Sequence, residues 1–440
     1  MFETVAELSV DADRAQVYEH GWQSWSPASS YPVTATSPRP VTADRRAMSY
    51  RAETPAPETG FQGEGLLAVD TGDTVHVFAA TDPESMPSIR ASYVDGRLVV
   101  TADGTVSASQ LAGPLPAALG AWGSSYASEV GVGLLRPAPT VWCSWYHYFT
   151  KVTEADIVEN LAAIDSTGLP VDVVQIDDGW ESEIGDWLTL SDRFASLSAL
   201  VDRIRSAGRR AGIWVAPFLV GERSDLAGEH PGWLIAGPDG LPVSAGHNWN
   251  QDVYGLDVTH PEAVAYLREV FGWLRSIGID YFKTDFVYAG ALAGSRHTGV
   301  EPLRAYRDGV ALIREVIGPD AYLLGCGAPI LPSVGLVDAM RVSPDIALEY
   351  EPRDGDPSQP SQRGAALSTV GRAWQHGRFW VNDPDCIVAR PAVERREEWA
   401  AVVERYGGLR ASSDRIADLD DWGLSTTRRL LETVPPPTPF

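Results

Sequence analysis

The chain has 440 residues, 44% of them hydrophobic and 21% charged, with a formal net charge of -24. Its length allows two or three domains at about 150 residues each, its composition is that of a soluble globular protein, and its negative charge opposes nucleic-acid or anionic-membrane partners. No run approaches the roughly 18 apolar residues of a membrane span, and the opening MFETVAELSVDADRAQ lacks a secretory-signal pattern.

Cys143, Cys326 and Cys386 have the spacing of neither a disulfide framework nor a zinc site, so a reducing cytoplasm is the expected location. The 15 Trp and 15 Tyr leave two readings open. One is an aromatic core; the other is a set of sugar-stacking platforms, since an indole face suits the C–H face of a pyranose.

Residues 1–136 read as a β-rich domain, expected to be a β-sandwich. Runs such as VHVFAA (75–80) and GRLVVTA (96–102) alternate with turn clusters such as DTGD and DPESMP, with one short helix expected near 115–120. LLRPAPT (134–140) reads as a linker. Strands and helices then alternate over 137–420. The strands are VWCSWY (141–146), VDVVQIDD (171–178), RAGIWVAP (210–217), DYFKTDF (280–286), AYLLGCG (321–327), AMRVSP (339–344), RFWVND (378–383) and GLRASS (408–413). Several are nearly continuous apolar runs, as parallel strands covered on both faces require.

Helices start at Thr153 and Ser196, at Pro261 and Pro391, and over about 302–317 and 361–376, with stops at Gly168 and Gly208. Only the connection after the fifth strand lacks a clear helix. Eight strands in this alternation favour a (β/α)8 TIM barrel over a doubly wound open sheet. A last helix over about 421–433 and a disordered tail PPPTPF complete the C-terminal segment, 421–440.

In such a barrel, chemistry collects at the C-terminal strand ends. Lys283 and Asp285 lie two apart, so they point the same way, and an ammonium beside a carboxylate favours the ionised form that a nucleophile needs. A structural ion pair is the competing reading. Arg341, Ser343 and Asp345 share one parity in RVSPD. Asp345 facing Asp285 would have its pKa raised, as an acid requires. Arg341 is therefore expected to bind substrate or Asp285 rather than Asp345, with an Arg341–Asp345 pair closing a loop as the competing reading.

Asp177 and Asp178 in IDDGW suit sugar hydroxyls better than a metal, because no HExxH or calcium-loop spacing is present. In NDPD (382–385), a turn-forming role is favoured. His147 reads as a hydrogen-bonded core residue, and Cys326 as a packing residue without a base. No G-x-S-x-G follows a strand, and no dinucleotide or P-loop fingerprint is in place.

Taken in order, GWQSWSP, VWCSWYHYF, VVQIDDGW with IGDW, GIWVAPF, NWN, YFKTDF, LLGCGAP, GLVDAMRVSPD and RFWVNDPD resemble the bacterial α-galactosidases of glycoside hydrolase family 36, across about residues 20–415. The resemblance implies a retaining α-galactosidase acting on a small α-galactoside oligosaccharide, without metal or cofactor. It makes Asp285 the nucleophile and Asp345 the acid/base. Asp177 and Asp178 then hold the 4- and 6-hydroxyls, with Lys283, Cys326 and Arg341 around the ring, Trp214 in the wall and Trp25 reaching in from the β-domain. Retention needs the two carboxyl groups about 5–5.5 Å apart. The same resemblance covers α-N-acetylgalactosaminidases and raffinose-type transglycosylases; a non-catalytic sugar-binding barrel would have lost one carboxylate. Relatives also carry a C-terminal β-domain that has little room here, and a homo-oligomer is compatible with the family.

Overall fold

The computed structural model describes residues 1–39, 43–51 and 53–440. Its N-terminal part is a sandwich of two antiparallel sheets. One runs in the order Glu3–Ser9, Arg97–Ala102, Ser88–Val94, Phe61–Glu64; the other in the order Ser29–Pro32, Gln16–Glu19, Leu66–Asp70, Val75–Ala79, Ser107–Leu111. Strict alternation drives it. Leu98, Val100 and Ala102 of one strand point inward with Phe61 and Ile89, and meet Val17, Leu67, Val69 and Phe78 of the other sheet in a dry core.

The helix expected near 115–120 is longer, Leu115–Val130. Its glycines and serines hide a helical pattern that packing decides. A Cβ on Gly123 would come within 2.7 Å of the Trp374 ring, so glycine lets this helix lie flush against the barrel.

All eight expected barrel strands form, shorter than their apolar runs. Taken one to eight they are Thr140–Cys143, Val173–Ile176, Arg210–Val215, Ile279–Thr284, Tyr322–Gly325, Ala339–Arg341, Val381–Asp383 and Arg410–Ser412. Neighbours pair in parallel, with strand eight on strand one. Gly408 N and Leu409 N both donate to Asn382 O, at 2.9 Å each, and draw strands seven and eight together into a nearly closed barrel. The residues past each strand end leave the ladder to form the mouth; Trp145 and Tyr146, read as the end of the first strand, instead begin a helical turn, Trp145–Tyr148.

Most helix boundaries follow the expected signals, but the helix expected from Pro391 begins only at Arg396, after a run of turns. Thr153 and Asp156 form a reciprocal capping box, and Gly168 closes that helix in the left-handed conformation. The connection after strand five has only a 3-10 turn, Leu331–Ser333, because the N-terminal sandwich occupies that space. Ser24 N donates to Ala328 O (3.1 Å), Ile330 N to Trp22 O (3.0 Å), and Gln23 bridges Pro329.

Beneath this junction the buried Arg372 donates to five backbone carbonyls, those of Gly21, Gln23, Ser24, Ser26 and Val342. The terminal PPPTPF, expected to be disordered, folds back. The Phe440 ring stacks on buried His376 at 4.1 Å, and the Pro436 carbonyl lies 3.2 Å from His376 Nε2.

Candidate active site

Strand two ends in Asp177 and Asp178, both buried. Asp177 Oδ2 accepts from Gln175 Nε2 (2.6 Å), from Lys283 Nζ (3.0 Å) and from the Cys143 thiol (3.3 Å). Lys283 lies 3.8 Å from Asp285 Oδ2, so its ammonium bonds Asp177 first and reaches the expected nucleophile second. Burial opposes charge on this lysine, yet the two aspartates outweigh it and hold its pKa well above the usual lysine value.

Asp285 is held by donors at both oxygens. Trp214 Nε1 donates to Oδ2 (3.0 Å), and the backbone N–H of Phe286 donates to Oδ1 (2.8 Å). The second bond requires Phe286 at φ +51°, a left-handed conformation that costs a non-glycine residue roughly 1 kcal/mol or more. The Phe286 ring is braced at 4.8 Å by Trp25 and at 5.0 Å by Trp249.

Asp345 sits at the rim with its side chain one-third exposed. Arg341 contacts it directly, Nη1 to Oδ1 at 3.0 Å, contrary to the sequence-based expectation. The carboxyl is nevertheless pushed up to about 7. Burial is the largest cause and the negative Asp385 the next, and together they outweigh the attraction of Arg341. Arg341 is shared, which weakens its hold on any one partner. Its Nε lies 3.2 Å from Asp383 Oδ2 and its Nη2 2.6 Å from Asp385 Oδ1. NDPD is therefore more than a turn, because its two aspartates anchor Arg341. Asp385 also accepts from Ile346 N (2.8 Å) and from the Tyr146 hydroxyl.

Cys326 is buried, and its thiol is pushed well up by burial and by Asp285, which makes it a packing group rather than a nucleophile. His147 is half-buried 3.5 Å from Asp418, so its partner belongs to the barrel wall. Asp345, Trp25 and Phe286 line a cavity of about 410 Å³ with His247, Asn248 and Gln359. Trp25 Nε1 is buried and finds no hydrogen-bond partner among the described residues, which leaves a donor for a ligand. A larger cavity, about 470 Å³, belongs to the N-terminal sandwich around Trp22 and Tyr31.

The nine expected residues thus form one connected mouth. Sequence reasoning gave no role to Trp249 or Glu181. Trp249 and Asn250 are the two loop residues of a hairpin joining Ser244–Asn248 to Gln251–Gly255, both with positive φ, as a type I′ turn demands. The turn aims Trp249 Nε1 at Asp178 Oδ2, 2.8 Å away. The signal was NWN itself, since a tryptophan at a left-handed turn position is costly without a purpose.

Residues 135–310 match the melibiase family model. The bifunctional α-galactosidase/sucrose kinase AgaSK of Mediterraneibacter gnavus is 30% identical over 173 residues, 36% of this chain but only 18% of that protein. The chain thus matches less than a fifth of that curated relative's length. The α-galactosidase AgaA of Geobacillus stearothermophilus superposes with a TM-score of 0.66 at 14% identity, covering 97% of this chain and 61% of that one, a likeness of fold. TtGalA, an α-galactosidase from Thermus thermophilus in complex with stachyose, superposes with a TM-score of 0.84 at 30% identity, covering 98% of this chain and 93% of that one. With that identity over nearly the whole of both chains, and the melibiase match across the first half of its barrel, the chain belongs to the melibiase family of glycoside hydrolases, of the family 36 type.

Proposed function

We propose that this protein is a retaining α-galactosidase that removes terminal α-galactosyl groups from small oligosaccharides. One observation carries the reading. Two carboxyl groups face one mouth in opposite settings, Asp285 among donors and Asp345 raised to about 7. That division of environments is what a nucleophile and an acid require.

In the first step an Asp285 oxygen attacks the anomeric carbon. Asp345 gives its proton to the glycosidic oxygen as the C–O bond breaks, which leaves a glycosyl ester on Asp285. In the second step Asp345 takes a proton from water, and the water oxygen displaces Asp285 from the sugar. Asp178 and Asp177 accept from sugar hydroxyls, Trp25 Nε1 donates to one, and Trp214 and Phe286 wall the ring. The galactosyl specificity is supported by the 30% identity to a protein that binds stachyose and p-nitrophenyl α-D-galactopyranoside.

The test is a panel of aryl glycosides, followed by NMR of the first sugar released from the preferred one. Turnover of the α-galactoside with α-galactose appearing first is expected. β-Galactose appearing first overturns retention, and preference for another glycoside overturns the specificity.

The raised Asp345 also fixes a pH dependence. A carboxyl titrating at about 7 is protonated below that pH and loses its proton above it. The kcat/KM for an oligosaccharide is therefore maintained down to the range where other groups titrate, and falls about tenfold per unit above neutrality. Asp345→Ala should lower kcat/KM on an oligosaccharide by about a thousandfold, and much less on a dinitrophenyl galactoside, whose leaving group needs no proton. An unchanged alkaline limb in this variant would remove Asp345 from the acid role.

A further inference from the structure

Glu181 is 5% exposed, three residues beyond Asp178, in the segment that turns back from strand two. Its carboxyl hydrogen-bonds that of Asp178, and both its oxygens lie 3.4 Å from the Gly179 N–H. No cation pairs with it among the described residues. Lys283 is committed to Asp177 and Asp285, and Arg193 turns Nη2 to the Gly179 carbonyl (2.9 Å).

We propose that Glu181 is a positioning residue for the sugar: it donates its carboxyl hydrogen to Asp178 and so fixes the Asp178 carboxylate toward the substrate hydroxyls. This rests on the reading of Asp178 as a sugar-binding group.

Two buried carboxyl groups within hydrogen-bonding distance cannot both ionise cheaply, so the pair keeps one proton. The charge belongs on Asp178, which also accepts from Trp249 Nε1 and feels Lys283, whereas Glu181 has only backbone N–H contacts beside it, its own and that of Gly179 at 3.4 Å, and no cation. The directions agree. Burial and then Asp178 push Glu181 well above the carboxylate range, while burial lifts Asp178 only to about 6, against the Glu181 and Trp249 hydrogen bonds. Asp178 is thus an anion in neutral solution, held from one side by Glu181 and from the other by Trp249. Once Glu181 loses its proton at high pH, two like charges face each other with Asp177 beside them, and Asp178 is driven off its position.

The experiment measures KM and kcat separately, from pH 5 to 10, for an aryl α-galactoside. Glu181→Leu, which removes the donor, should raise KM about tenfold at neutral pH with a smaller change in kcat, as loss of a hydrogen bond to a charged group implies. Glu181→Gln keeps an N–H donor and carries no charge. It should recover most of that loss and abolish the alkaline rise in KM. A merely structural glutamate would change the melting temperature without moving the pH profile of KM. A wild-type alkaline rise in KM persisting in Glu181→Gln, or an unchanged KM in Glu181→Leu, overturns the proposal; the alkaline fall in kcat that belongs to Asp345 is expected in every variant. Asp178→Asn separates the two levels. If it raises KM while neither Glu181 variant does, only the positioning role falls; if it leaves KM unchanged, the reading of Asp178 falls with it.

Discussion

Asp285→Gly is expected to cut turnover of an aryl α-galactoside by roughly ten-thousandfold or more, the scale seen when a covalent nucleophile is removed. On the proposed mechanism the substitution takes away the oxygen that attacks the anomeric carbon, and it leaves a space beside Trp214 Nε1 and the Phe286 N–H, the two donors that held the lost carboxylate. Azide can enter that space, attack the sugar from the same side and restore part of the rate, with Asp345 untouched. The expected product is β-galactosyl azide, because a single displacement inverts an α-linkage. A variant retaining most of the activity, or rescued only with α-configured product, would exclude Asp285 as the nucleophile. The fold should survive, since Phe286 remains packed between Trp25 and Trp249.

The second large effect lies away from the chemistry, at Arg372. Its guanidinium is buried and joined to the carbonyls of Gly21, Gln23, Ser24, Ser26 and Val342, without a carboxylate partner among the described residues. Burial drags its pKa down to about 10, still charged at neutral pH. Arg372→Met would leave these carbonyls without their donor in a closed space. A loss of about 3–5 kcal/mol is expected, from several unmade buried hydrogen bonds of about 1 kcal/mol each and the packing change. It should appear as a lower urea midpoint with an unchanged slope. Arg372→Lys cannot span all five carbonyls and should fall between. A shift below about 1 kcal/mol would mean that water replaces the guanidinium readily. Since the 21–26 segment carries Trp25, the folded fraction of either variant should also bind substrate more weakly.

The barrel was legible in the sequence because parallel strands buried on both sides must be nearly continuous apolar runs, as in Val173–Ile176 and Tyr322–Gly325. The parity of Lys283 and Asp285 placed both in the mouth for the same reason. What escaped was decided by parts of the chain that meet only on folding. Lys283 prefers Asp177, 106 residues away, over the neighbour two positions along. Arg341 was expected to avoid Asp345, but two further aspartates, one at the end of strand seven and one just beyond it, dilute its charge, and no reading of RVSPD alone contains them. The Leu115–Val130 helix and the docked tail share this character. Each is fixed by a distant aromatic or histidine surface, Trp374 in one case and His376 in the other.

Two cations serve five aspartates in this mouth. Lys283 lies between Asp177 and Asp285, and Arg341 among Asp345, Asp383 and Asp385. Such a pocket is an electrostatic filter as well as a reaction vessel. A sugar bearing a phosphate or a uronic carboxylate meets a field of its own sign in a space that counter-ions cannot readily screen, whereas a neutral sugar meets none until its ring begins to gain positive charge at the anomeric centre. The surplus of acid groups is thus felt least by the resting substrate and most by the oxocarbenium-like species through which it must pass.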